Sequence, residues 1–171
     1  MYRQSLDHCW KMRRCAGGDW LKTQVPATVY GTLLQHGRMP DPYYRDNELE
    51  ALARMDEDYE FETVFDCAPE MLLCQKNILC FEGLDTLAGV FLNGVPVLCA
   101  DNMHRTWQVP VTGMLKSAEN RLKVVFKSPT RYIRAAYEAC PTEGTGDAMR
   151  GFPLLRKAHC MFGWDWGVSQ S

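Results

Sequence analysis

The stretch Leu87-Ala-Gly-Val-Phe-Leu-Asn-Gly-Val-Pro-Val-Leu-Cys99 decides the fold class. Two apolar runs, Leu87–Leu92 and Val95–Cys99, are separated only by Asn93-Gly94. Asn and Gly accept the successive positive φ angles that a two-residue hairpin turn demands, so the pair between apolar runs predicts strand, turn and return strand. Working outward, Asn77–Glu82 reads as a strand, and so does the segment around Tyr59, Phe61, Thr63, Val64 and Phe65. Thr106–Val111 alternates polar and apolar residues. Asn120–Lys127 alternates too, placing Leu122, Val124 and Phe126 on one face. Five or six strands, with turn signals about every ten residues, predict an antiparallel β-sandwich.

Helical periodicity is confined to the margins. After Pro26, the segment Ala27–His36 puts Val29, Leu33 and Leu34 on one helical face, and Gly37 stops it. Residues 38–48 form a charged, Pro-rich loop, and 49–55 add a further helical turn. Pro129 opens a helix over 129–139 with a stripe of Tyr132, Ile133, Ala136 and Tyr137. Upstream, Trp10 and Trp20 flank a Gly17-Gly18 turn, as in an edge strand leading into a loop. Gly144-Thr-Gly146 is a loop, and residues 150–171 show no clear period. The expected class is all-β in the main, with short peripheral helices.

Composition removes several functions. The chain has 171 residues, one ordinary domain and too few for a (β/α)₈ barrel, which takes about 250. Nineteen Lys and Arg against 21 Asp and Glu give a net charge of −2. No basic footprint for nucleic acid exists. No run of about 20 apolar residues exists to span a membrane. The first ten residues lack the apolar run of a signal peptide, so the chain is expected in the cytosol. Eight cysteines show no CxxC spacing. Cys67, Cys74, Cys80 and Cys99 lie among apolar residues and are expected to be reduced, small core hydrophobes. The alternative, a disulfide framework, requires an oxidising compartment.

Glycine-rich phosphate loops are absent, and His8, His36, His104 and His159 do not have metal-site spacing. No metal and no cofactor are expected, and no two carboxylates are paired in sequence for acid/base work. One segment does stand out, Phe162-Gly-Trp-Asp-Trp-Gly167. Indole faces stack on the apolar face of a sugar ring while a carboxylate accepts hydrogen bonds from its hydroxyls. In an extended segment Trp164 and Trp166 share one face and Asp165 opposes them; a turn or bulge brings all three to one site. The competing reading is a Trp-rich edge strand that closes the sandwich. A second candidate is Asp101-Asn-Met-His-Arg-Thr-Trp107, either a polar loop over a ligand or a strand connection whose Asp or Asn caps a turn. A third is Asp41-Pro-Tyr-Tyr-Arg-Asp-Asn-Glu48, which faces a ligand or neighbouring domain, or is an ordered surface loop.

Taken together, these segments resemble the N-terminal sugar-binding domain of glycoside hydrolase family 2, in its β-mannosidase branch. The matching stretches begin with Val25-Pro-Ala-Thr-Val-Tyr30, Leu33-Leu34, Pro40–Glu48, Phe81-Glu-Gly-Leu-Asp-Thr86 and Leu92-Asn-Gly94. They continue with Asp101–Arg105, Trp107, Val111-Thr112, Ser128-Pro129, Tyr132-Ile133, Leu155-Arg-Lys-Ala158 and Phe162–Gly167. They follow the family order from about residue 20 to 167.

The resemblance implies a galactose-binding-like jelly-roll sandwich that precedes immunoglobulin-like domains and a catalytic (β/α)₈ barrel. It implies retaining hydrolysis of terminal β-mannosides by two glutamates of that barrel, so no catalytic residue is expected in this chain, which alone should be inactive. It assigns Asp165 to hydroxyls of the terminal sugar and Trp164 and Trp166 to the walls of its subsite. Arg156, Lys157 and Asn102 are candidates for supporting that segment or the barrel interface. Another family 2 glycosidase such as a β-galactosidase, a free-standing carbohydrate-binding module, and a purely structural docking domain are the alternatives. The sequence departs from the family pattern at Ala27 and Tyr30, where Gly and His are usual, at 53–57, where Trp residues are usual, and at Val168, where Pro is usual. Ala27 implies that the turn there needs no positive φ.

Overall fold

A computed structural model describes residues 2–143 and 149–162. Among them, in chain order, lie strands β1 (Trp10–Arg14) and β2 (Leu21–Thr23), helices α1 (Val29–Gln35) and α2 (Asn47–Arg54), and strand β3 (Tyr59–Phe65). There follow helix α3 (Pro69–Leu72), strands β4 (Ile78–Phe81), β5 (Ala88–Leu92), β6 (Val95–Ala100), β7 (Trp107–Pro110) and β8 (Asn120–Phe126), and helix α4 (Pro129–Ala139). Two 3₁₀ turns, Phe152–Leu154 and His159–Phe162, close the described part.

The predicted hairpin is present. Asn93 and Gly94 have φ of 53° and 84°, the paired positive values of the tight turn. Asn93 also joins the turn to β8. Its Nδ2 donates to Met114 O at 2.9 Å and to Asn120 Oδ1 at 3.2 Å, while its Oδ1 accepts from Arg121 N at 3.0 Å. Around this hairpin a six-stranded antiparallel sheet runs β2-β1-β3-β8-β5-β6, and a two-stranded sheet pairs β4 with β7. The expectation of five or six strands falls short of the eight among the described residues. The two strands beyond that count are β1, which lies in the segment read as an edge strand leading into a loop, and its partner β2, only three residues long.

Period-two alternation builds the core. Met12 of β1, Tyr59 and Phe61 of β3, Leu122 and Val124 of β8 and Val90 of β5 point to one side and are buried together. The small sheet adds Val109, packed with Leu92 and Val111. Helices complete the cover, since Leu33 of α1 and Ala51 of α2 belong to the same core as the sheet. Thr28 caps α1, its side chain accepting from Gly31 N at 2.9 Å. Leu34, expected on the apolar face, is exposed, and so is Tyr132 of α4. In both helices the buried arc is narrower than the sequence stripe and centres on Leu33 and Ile133. Ala27 is not among the residues of positive φ, consistent with its side chain.

The eight cysteines are free thiols. The expectation that Cys67, Cys74, Cys80 and Cys99 fill the core holds only for Cys67. Cys80 and Cys99 are exposed. On β4 the buried phase falls on Leu79 and Phe81, so Cys80 between them faces outward.

Candidate functional site

Trp164, Asp165 and Trp166 lie outside the described residues. The described structure shows how the chain is held up to Phe162.

After α4 the backbone turns at Gly151, whose φ is 80°. A Cβ there would lie 2.8 Å from Tyr137 Cβ and 3.2 Å from Ile133 Cγ2, so only glycine fits. Downstream, Phe152, Leu155 and Phe162 pack on Ile133 of α4 as a satellite core, with Leu87 and Met149 at its margin. The Phe152 ring meets His159 edge-on at 4.8 Å and Phe162 at 5.9 Å. Each buried phenylalanine contributes about 1.5–3 kcal/mol. A segment without sequence periodicity is thereby fixed on the domain.

The opposite side of this segment is held by backbone. Asn102 and Arg156 form an isolated parallel β-bridge, in which Met103 N donates to Arg156 O at 3.1 Å. Two residues further, Ala158 N donates to Met103 Sδ at 3.0 Å. The Asn102 side chain is used locally, its Oδ1 accepting from His104 N at 2.9 Å. Its carbonyl accepts from Trp107 Nε1 at 3.3 Å, and the Arg105 guanidinium lies 4.4 Å from the Trp107 ring centroid. The 101–107 loop is thus both a capped turn and a shelf for residues 155–158.

Lys157 supplies the charged contact. Its Nζ lies 2.6 Å from Asp85 Oδ2. The other Asp85 oxygen accepts from the Thr86 hydroxyl. Lys157 is buried, whereas its neighbour Arg156 is exposed. Alternation along the bridged segment sends one cation inward to a carboxylate and the other outward. The three supporting residues singled out in the sequence therefore meet at one seam. Asp85 and Met103 complete it and were not singled out. Asp85 sits in the Phe81–Thr86 block, but its partner is 72 residues away and only the folded chain reveals it.

The third candidate loop is tied to itself. Asp41 Oδ1 accepts from Tyr43 N, Asn47 Nδ2 donates to Asp41 O, both at 2.9 Å, and Arg45 lies over the Tyr44 ring. Both tyrosine rings are exposed. Among the described residues, no group of three or more His, Cys, Asp or Glu is placed to hold a metal ion. Chemically the seam offers rigidity: its buried cation is neutralised within the domain, and it fixes residues 155–158 on the 101–107 loop.

Comparison with known proteins agrees with this architecture. The family model described as glycosyl hydrolase 2 galactose-binding domain-like matches residues 10–171. A β-mannosidase of Mus musculus is 33% identical over 96% of this chain and 20% of its own length. A β-mannosidase B of Thermothelomyces thermophilus is 36% identical over 95% of this chain and 19% of its own. The crystal structure of a β-D-mannosidase from Dictyoglomus thermophilum superposes with a TM-score of 0.90 at 33% identity, over 96% of this chain and 20% of that one. The chain thus spans about a fifth of the length of these relatives. With a family model matched from the first strand to the last residue, and a sandwich that superposes on a solved relative, the chain belongs to the galactose-binding-like domain family of the glycosyl hydrolases 2.

Proposed function

We propose that this chain is the N-terminal, jelly-roll domain of a retaining β-mannosidase, and that it walls the pocket in which the catalytic barrel holds a terminal β-mannose. Its partners on this reading are the barrel and immunoglobulin-like domains of the same polypeptide and a β-linked sugar. Asp165 accepts hydrogen bonds from the sugar hydroxyls, and Trp164 and Trp166 enclose the ring. The domain supplies binding, and the barrel supplies the nucleophile and acid/base.

The observation that carries this reading is the seam just upstream. Residues 155–158 are bridged to Asn102, bonded to Met103 and paired through Lys157 to Asp85. Groups that must meet a substrate need such rigid support, because small misplacements cost binding and rate.

The test is to compare the 171-residue chain with the longer protein on a chromogenic β-mannoside. Turnover by the longer protein and none by the chain alone is the expected result. Turnover by the purified chain overturns the reading.

A further inference from the structure

The face of the six-stranded sheet turned away from the core holds a cavity of about 500 Å³. Its floor follows from strand register. On β3, Glu60 and Glu62 alternate with the core residues and so face outward, yet their side chains are only 10% and 6% exposed. Neighbouring strands cover them. Lys11 Nζ lies 2.9 Å and Arg121 Nη1 3.0 Å from Glu62. Arg13 Nε lies 2.6 Å and Lys123 Nζ 3.6 Å from Glu60.

Two carboxylates therefore carry four cations, and the face keeps two surplus positive charges although the whole chain is at −2. The cations are each more than a third exposed, so they retain N–H groups directed at solvent. Glu62 adds to the argument: burial pushes its carboxyl up, but Lys11 and Arg121 outweigh that and hold it below the usual range. It stays charged, and the surplus is a fixed feature of the face. Apolar rims flank the charges. The Trp20 ring centroid is 4.5 Å from Lys11 Nζ and 4.3 Å from the Arg13 guanidinium, and Phe91 is 5.3 Å from Lys123 Nζ. The volume lies within the range of small-ligand sites, roughly 300–1,000 Å³.

We propose that this sheet face binds an anionic saccharide, a hexose ring bearing a carboxylate or phosphate. The anion sits on the surplus charge of Arg13, Lys11 and Lys123, and the ring lies against Trp20 and Phe91. A neutral sugar leaves the surplus charge uncompensated, and a bare inorganic anion makes no use of the aromatic rims. This site does not involve residues 155–166 and stands independently of the function proposed above.

The experiment is calorimetry together with amide NMR titration of the protein, using galacturonate, glucose 6-phosphate, glucose and inorganic phosphate. Saturable binding of at least one anionic sugar is expected, with shifts at Arg13, Phe91 and Lys123. Which of the two binds identifies the carboxylate or phosphate source. Glucose should bind at least about tenfold more weakly, and added salt should weaken the anionic sugar. Lys123→Met and Trp20→Leu should each weaken it about tenfold while the thermal midpoint stays close to that of the parent. Equal affinity for inorganic phosphate and glucose 6-phosphate would mean an adventitious ion only and overturns the proposal. So does binding by neither anionic sugar, or binding unchanged in folded Lys123→Met.

Discussion

Lys157 Nζ meets Asp85 Oδ2 at 2.6 Å, with the lysine side chain 7% exposed and the aspartate side chain 34% exposed. The asymmetry sets what each truncation does. Asp85→Ala leaves an ammonium in a nearly dry site and should cost about 2–3 kcal/mol, less than a fully buried pair because water reaches the aspartate. Lys157→Met keeps the apolar stem and leaves a carboxylate with its Thr86 hydroxyl and solvent, for about 1 kcal/mol. Urea unfolding of both variants checks the order; equal costs would mean that burial of the lysine does not matter.

Gly151→Ala tests the turn that leads into the seam. The new Cβ meets Tyr137 Cβ at 2.8 Å in a backbone with φ of 80°. The expected loss is about 2–3 kcal/mol, from strain and overpacking. Gly37→Ala is the control, since φ there is 61° but nothing lies within 4 Å. It should cost about 1 kcal/mol. Thermal midpoints should fall by about 2–4 °C per kcal/mol for a chain of this size.

Tyr30→Phe should be neutral or stabilising. The Tyr30 hydroxyl is buried without a hydrogen-bond partner among the described residues. Burial, then the nearby Tyr59 and Glu48, push its ionisation far above the ordinary phenol range. Removing an unpaired buried hydroxyl recovers up to about 1–3 kcal/mol. A clear destabilisation by chemical denaturation would show that this hydroxyl is bonded.

Acid should unfold the domain through a defined set of carboxylates. Asp58 is pushed up by burial, but bonds from Lys127, Ser128 N and Arg131 outweigh this and hold it below its ordinary value of 3.8. Asp56, bonded by Thr130 and Arg134, behaves likewise, and so does Glu62 beneath Lys11 and Arg121, relative to 4.5. A carboxylate depressed on folding gives stability that is present above its unfolded value and lost as pH falls through the folded one. The urea midpoint should therefore stay level above about pH 5 and fall steeply below about pH 4. Asp58→Asn should lower the plateau and flatten the fall; an unchanged slope would contradict the assignment.

The periodic parts of this fold were legible in the sequence and the paired parts were not. Helix α4 occupies 129–139 as its Pro129 and apolar spacing predict, with Ser128 capping it through Arg131 N at 3.2 Å. Strand β8 shows its Leu122 and Val124 face. These signals are local. Glu60 and Glu62 lie buried because Arg13 and Lys11 stand opposite them in register, 47 and 51 positions earlier, and no local pattern reports that. Cysteines among apolar residues do not declare which phase of the strand they occupy. At the candidate site, Asn102, Arg156 and Lys157 were legible as a group through family resemblance, but Asp85, the residue that explains Lys157, needed the fold. The roles of Trp164, Asp165 and Trp166 rest on their chemistry and that resemblance.

On the proposed function, Asp165 binds the terminal sugar. The direct measurement is kcat/KM on 4-nitrophenyl β-D-mannoside for the proposed longer enzyme carrying this chain, with and without Asp165→Ala, at matched folding by circular dichroism. Loss of a charged acceptor at the reacting sugar should lower kcat/KM about 10²-fold, near 2.7 kcal/mol. A folded Asp165→Ala enzyme with undiminished kcat/KM would contradict the account and leave the domain a structural one.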